Sequence, residues 1–306
     1  MAMSESRRRK LEMLTRSIAR GDFASARELL RSHGHSGINR PAPPAVRGPE
    51  RDIQPVPLAE ACPGEVVVAR TPLGPLPCYR IRRTLGEVAP ESADIAREYA
   101  AVLRGARQRF NDDDALTASA ALCHAADGGP EDLLFLDTET CGFSGTAIFL
   151  VGLMQYAAGE LVFDQYLARD YSEEPAILHA CAERYETAGV LVTFNGKRFD
   201  MSMVRERCAV HGIELPRRRT PHLDLLDESR RRWRGEVPNC RLQTLEQYLC
   251  RRRRIGDIPG SEIPEAYHRF VAGGDARQMA DILHHNLLDL LTMAQLVVAI
   301  LTGCGP

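Results

Sequence analysis

The chain has 306 residues, with 44% hydrophobic residues, 26% charged residues and a formal net charge of −2. Such a length supports one large or two moderate cores, the composition is that of an ordinary globular protein, and the near-neutral charge excludes a global pull on nucleic acid, so any such binding must come from a local patch. Nine scattered cysteines without a CxxC pair speak against a disulfide framework or a zinc knuckle. No apolar run reaching about 18 residues and no hydrophobic leader after Arg7-Arg8-Arg9-Lys10 lead to the expectation of a cytoplasmic protein with no membrane partner.

In chain order, apolar residues at Leu11, Leu14, Ile18, Phe23, Ala26, Leu29 and Leu30, interrupted at Gly21-Asp22, predict two short amphipathic helices over 5–33. Six basic residues against two acidic ones in the first twenty read either as an arm for nucleic acid or a protein partner, or as a solvated helix face. Prolines at 41, 43, 44, 49, 55 and 57 predict an extended linker. Val66–Arg70 and Tyr79–Ile81, separated by Pro72-Leu73-Gly74-Pro75, predict a hairpin, and the alanine-rich residues 91–128 are predicted mainly helical. Gly128-Gly129-Pro130 marks a boundary, which gives an N-terminal extension over 1–130 and a second domain over 131–306.

That second domain opens on Leu133-Leu134-Phe135-Leu136-Asp137-Thr138-Glu139-Thr140, four large apolar residues ending in two carboxylates. On a strand, residues i and i+2 share a face, so Asp137 and Glu139 repel each other unless a cation lies between them or the strand end is simply solvated. Residues 147–158 and 160–166 predict two further strands, too close in sequence for crossover helices and therefore antiparallel. A helix over 173–187 with Ser172 as its N-cap, a strand over 190–194 and a long amphipathic helix over 275–302 complete the domain.

Downstream acids answer the first pair. Asp200 falls in the first turn of a helix after Phe194-Asn195-Gly196-Lys197-Arg198-Phe199, where it reads either as a dipole partner or as a ligand. On the last helix His285 and Asp289 are spaced i, i+4 and share a face, while His284 lies about 140° around from Asp289.

Asp137-Thr138-Glu139, Asn195…Phe199-Asp200 and His285-Asn286…Asp289 resemble, in order, the three motifs of the DEDD (DnaQ-like) 3′–5′ exonuclease superfamily. Thr220-Pro221-His222-Leu223-Asp224-Leu225, Arg241-Leu242-Gln243-Thr244-Leu245-Glu246 and Gly256-Asp257-Ile258-Pro259-Gly260 extend the likeness to the bacterial YprB-type ribonuclease H-like domain proteins over about residues 131–302. The resemblance implies an α/β fold of ribonuclease H type, a mixed sheet of three antiparallel strands followed by parallel ones and flanked by helices, with a separate N-terminal helical/β extension. It further implies hydrolysis of DNA or RNA phosphodiesters, with Asp137, Glu139, Asp200 and Asp289 holding two Mg²⁺ or Mn²⁺ ions and a histidine as general base. The family's histidine-type members place that base at the position of His284 and its tyrosine-type members at that of His285; the i, i+4 pairing favours His285.

Residues 217–254 carry twelve arginines against five acids. Beside such a site this segment reads as a track for single-stranded DNA or RNA, with Asn195, Lys197, Arg230, Arg231 and Arg234 as substrate-binding residues and Trp233 stacked on a base; the bland readings are solvated helix faces paired with acids elsewhere and, for Lys197, a plain surface lysine. The competing classes are a nucleic-acid-binding module with little turnover and a protein-interaction module on a nuclease fold.

Overall fold

Alternation along β3 (Leu133–Thr140) sets up two cores: Leu133 and Phe135 are buried in one, Leu134 and Leu136 in the other. The computed structural model describes residues 54–109, 118–142, 145–216 and 220–306. The predicted helices over 5–33, the proline-rich residues 37–53 and Arg217, Arg218 and Arg219 lie outside them.

The strands are β1 (Glu65–Thr71), β2 (Gly74–Thr84), β3, β4 (Ile148–Ala157), β5 (Glu160–Leu167), β6 (Val190–Thr193) and β7 (His222–Asp224). They form one seven-stranded sheet in the order β1-β2-β5-β4-β3-β6-β7. β3, β4 and β5 are an antiparallel meander, and β6 and β7 continue the sheet parallel to β3. This is the expected ribonuclease H-like mixed sheet. The N-terminal hairpin also belongs to it: β2 pairs antiparallel with β5 from Tyr79–Leu167 to Thr84–Val162. The sheet therefore crosses the predicted boundary at 130, because the β5 edge needs a partner and the hairpin supplies one. Residues Gln54–Pro306 cluster as one compact unit.

The longer helices are α1 (Ala93–Arg104), α2 (Ala120–Asp127), α3 (Glu174–Thr187), α4 (Asp200–Val210), α5 (Leu225–Trp233), α6 (Leu242–Leu249), α7 (Ile263–Gly273) and α8 (Arg277–Thr302). α1 is fixed by Tyr99, whose ring lies 5.9 Å from those of Phe135 and Tyr156 and whose hydroxyl donates to the Pro130 carbonyl. α3 begins one residue later than expected and its N-cap is Glu173; Ser172 belongs to a preceding turn, where Asp170 accepts its backbone N–H. α8 has the length and mean hydropathy of a membrane span, but 78% of that window is buried inside the protein, as in a central core helix. It runs past β3 and brings one polar stretch, His285 to Asp289, to the end of that strand.

Candidate active site

β3 delivers Asp137 and Glu139 side by side at its C-terminal end, where the pairing with β4 slips by one residue after Glu139. Asp137 is held by α8: Asn286 Nδ2 donates to Asp137 Oδ2 at 2.8 Å and to its carbonyl at 3.3 Å. Asn286 is held in turn by Gln165 of β5, whose Nε2 donates to Asn286 Oδ1 and to the Leu283 carbonyl, both at 2.8 Å. The fully buried amide fits because β4 carries Gly152 opposite it. A Cβ at Gly152 would stand 2.0 Å from Asn286 Oδ1.

Asp200 begins α4 and reaches β3 through Thr138, whose hydroxyl and backbone N–H donate to Asp200 Oδ1 at 2.7 and 3.1 Å. The turn that aims it starts at Asn195, which has a left-handed φ of 64°. Asp224 fixes that turn by accepting the backbone N–H groups of Asn195 (2.8 Å) and Lys197 (3.1 Å), and it also caps α5 at Leu226. Asp224 thus shapes the site without facing it.

On α8, His285 and Asp289 share the face turned to β3, with Nε2 of His285 3.6 Å from Asp289 Oδ2. His284 is exposed and lines a different cleft with Arg82, Arg83 and Glu87. Two residues from the loop between α6 and α7 complete the wall. Asp257 lies 2.9 Å from His285 Nδ1, and Arg254 donates to Asp289 Oδ1 at 2.5 Å.

Electrostatics mark the four acids as one group. Loss of water, then the charges of Asp289, Asp200 and Glu139, hold Asp137 well above the usual carboxylate range. Glu139 is pushed up to about 8 by burial, then by Asp289, Asp200 and Asp257. Burial raises Asp200 to about 6 against the pull of the Thr138 hydrogen bonds. Asp289 is raised by burial although Arg254 and His285 pull it down. Among the described residues no group of three or more His, Cys, Asp and Glu side chains stands ready to enclose an ion; Asn286, Thr138 and Arg254 instead engage Asp137, Asp200 and Asp289 respectively. The donor chemistry still fits a hard divalent cation, since four mutually repelling carboxylates are relieved by nothing so well as positive charge.

The arginine-rich segment divides in two. Arg231 and Arg232 are paired with the buried Glu228, and Arg252 and Arg254 with the buried Glu246. Of these four only the Arg254 side chain is buried; those of Arg232 and Arg252 are half-buried, and that of Arg231 is exposed. Arg230, Arg234 and Arg241 have no carboxylate within ion-pair distance among the described residues, and they line a cleft of about 590 Å³ with Phe194, Asn195 and Asn239. Of the predicted substrate residues, Asn195, Arg230 and Arg234 therefore meet in one place. Lys197 is instead 4.0 Å from Asp227. Trp233 requires correction: it is 3% exposed in the core with Leu225 and Leu245, so its ring is closed to a base. The exposed aromatic beside the acids is Phe199, 62% exposed and adjacent to Asp200.

Sequence reasoning passed over Gln165 and Gly152, named Asp257 only as part of a motif of the resemblance, and counted Arg254 only among the arginines of the basic segment. A glycine inside the otherwise bulky β4 run was a legible signal of close approach; a glutamine on β5 carried none.

Comparison with known proteins places the same region. A family model described as RNase_H superfamily matches residues 134–301, more than half of the chain. The chain is 32% identical over 171 residues to the "Uncharacterized protein YprB" of Bacillus subtilis (strain 168), a match covering 55% of this chain and 41% of that protein. The chain thus spans less than half the length of that relative.

Proposed function

The chain belongs to the RNase H superfamily as a YprB-type member, and from that premise we propose that it is a divalent-metal-dependent 3′–5′ exonuclease of the DEDD group, acting on single-stranded DNA or RNA. The observation that carries the reading is the convergence of Asp137, Glu139, Asp200 and Asp289, from three separate elements, into one mutually repelling carboxylate group with His285 beside it. The four acids are the ligands in this proposal, for two Mg²⁺ or Mn²⁺ ions. Bound divalent ions lower the pKa of water and neutralise charge developing on the phosphate oxygens.

The protein's own groups supply the rest. Nε2 of His285 takes the proton of the attacking water, and Asn286 and Thr138 keep Asp137 and Asp200 in place while it does so. Arg230, Arg234 and Arg241 hold backbone phosphates of the strand that enters, and Phe199 offers a ring face to a base next to the scissile bond. The direction of attack, from a 3′ end, is taken from the family resemblance. Nine free cysteines suit a reducing, cytoplasmic compartment.

The base assignment has its own test. With an oligonucleotide and Mn²⁺, His285→Ala is expected to lose about 10²–10⁴-fold in kcat, the usual worth of general base catalysis, and His284→Ala to stay near the parent. The reverse pattern would move the base to His284.

The raised acids also fix a pH dependence. Glu139 moves from 4.5 in its ordinary state to about 8 in the folded protein, so in that window the native state keeps a proton that the unfolded chain gives up. Its contribution to metal-free stability is therefore lost progressively as pH rises from about 4.5 to about 8. A cation binding the ionised acids releases those protons and reverses the loss. The melting temperature difference between Mn²⁺ and EDTA should accordingly be larger at pH 8 than at pH 5. An equal difference at both would remove the four acids as the binding group.

A further inference from the structure

The loop between α6 and α7 carries charged groups that the hydrolytic scheme does not yet use. Arg254 donates from three nitrogens to three carboxylates on different elements: Nε to Glu246 of α6 (2.7 Å), Nη1 to Asp257 of the loop (3.1 Å) and Nη2 to Asp289 of α8 (2.5 Å). Its side chain is 7% exposed. Glu246 is also gripped by Arg252 at 2.5 Å, and Arg252 reaches on to Thr292 (2.6 Å) and Gln295 (2.9 Å) of α8. The loop is thus tied to the helix that bears His285 and Asp289. Asp257 lies 2.9 Å from Nδ1 of His285 through both of its oxygens.

We infer that Asp257 and Arg254 are positioning residues: Asp257 fixes the tautomer and ring orientation of His285, and Arg254 fixes Asp257 and Asp289 relative to each other. This rests on the reading of His285 as the base. A carboxylate paired with a guanidinium accepts, so the ring donates from Nδ1 and presents a bare Nε2 on the side of Asp289, where a base needs its lone pair. The exposed His284 has no carboxylate partner of this kind among the described residues. A planar three-way fork is a task for arginine, since a lysine ammonium is a single point of charge. Burying four charged groups costs desolvation that their attraction returns only in part, so a stability role alone explains the network poorly, whereas a fixed geometry explains each contact.

The test reads the tautomer and the kinetics on the full chain. In ¹⁵N-histidine spectra of the Mg²⁺-loaded protein, neutral His285 should carry its proton on Nδ1, and Asp257→Ala should abolish that preference. With an oligonucleotide, Asp257→Ala should lower kcat about 10–100-fold, the usual loss when an orienting partner of a site residue is removed, and leave KM unchanged. Asp257→Asn puts an NH₂ donor in place of one of the two oxygens beside Nδ1, while Arg254 claims the oxygen that remains, so it should favour the Nε2 proton and stay as impaired as Asp257→Ala. Arg254→Lys should lower kcat as well. A proton on Nε2 in the parent protein, an unchanged kcat in Asp257→Ala, or a near-parent kcat in Asp257→Asn would each overturn the inference. A parent protein that cleaves nothing yet shows the Nδ1 tautomer would sink the nuclease reading and leave the positioning intact; full activity without Asp257 would do the opposite.

Discussion

Asp137→Ala is expected to lower metal-dependent kcat by at least about a thousandfold, some 4 kcal/mol of barrier, while leaving the metal-free protein as stable as the parent or more so. The two effects have opposite signs for one reason. Asp137 stands among Asp289, Asp200 and Glu139 with little water around it, and each neighbour raises its pKa. Removing it deletes three repulsions and one desolvated carboxylate, against which only the Asn286 hydrogen bond at 2.8 Å is lost. A residue retained for the fold would show the reverse, a lower melting temperature and a modest change in rate. Melting in EDTA together with single-turnover cleavage in Mn²⁺ separates the two.

Gly152→Ala is expected to destabilise the protein by the upper end of about 1–3 kcal/mol, the range of an overpacked core, and to impair hydrolysis as well. The added methyl would lie 2.0 Å from Oδ1 and 2.6 Å from Nδ2 of Asn286. That amide has no room to withdraw, being fully buried and bonded to both Gln165 and Asp137. Either β4 moves away from α8 or Asn286 leaves Asp137, and both outcomes disturb the acid that the site depends on. Asn286→Ala placed in the Gly152→Ala background should restore part of the stability, giving a coupling term in a double-mutant cycle that independent sites do not show. Additive melting shifts would refute the contact.

Much of the candidate site is legible in the sequence, because its acids sit where local pattern is strongest. Asp137 and Glu139 end an apolar strand, Asp200 opens a helix, and His285 and Asp289 are one helical turn apart, so each is tied to its element by a period that sequence displays. The supports are different. Asp257 meets His285 across 28 residues and Gln165 meets Asn286 across 121, and no periodicity reports such contacts. Trp233 lies among arginines in sequence, yet its place is set by helical spacing and not by the charge around it. Leu226, Ser229 and Trp233, spaced i, i+3 and i+7, are all buried and form the inward stripe of α5. The arginines themselves could not be sorted by sequence: whether a guanidinium meets a phosphate or a buried glutamate depends on Glu228 and Glu246, which the fold brings beneath them. The hairpin was visible as a hairpin, and its place on β5 was not, since strand pairing over some eighty residues leaves no local trace.

Hydrolysis of phosphodiesters from a strand end by four carboxylates and one histidine is open to a direct assay. Oligonucleotides of DNA and of RNA, labelled at either the 5′ or the 3′ end, should be incubated with the full chain in Mn²⁺ or Mg²⁺, with Asp137→Ala and EDTA as controls. A 3′ label should be released at once as mononucleotide while a 5′ label moves through a ladder of shortening products, and both controls should be silent. Intact substrate in every lane, or equal cleavage by parent and Asp137→Ala, would contradict the nuclease reading.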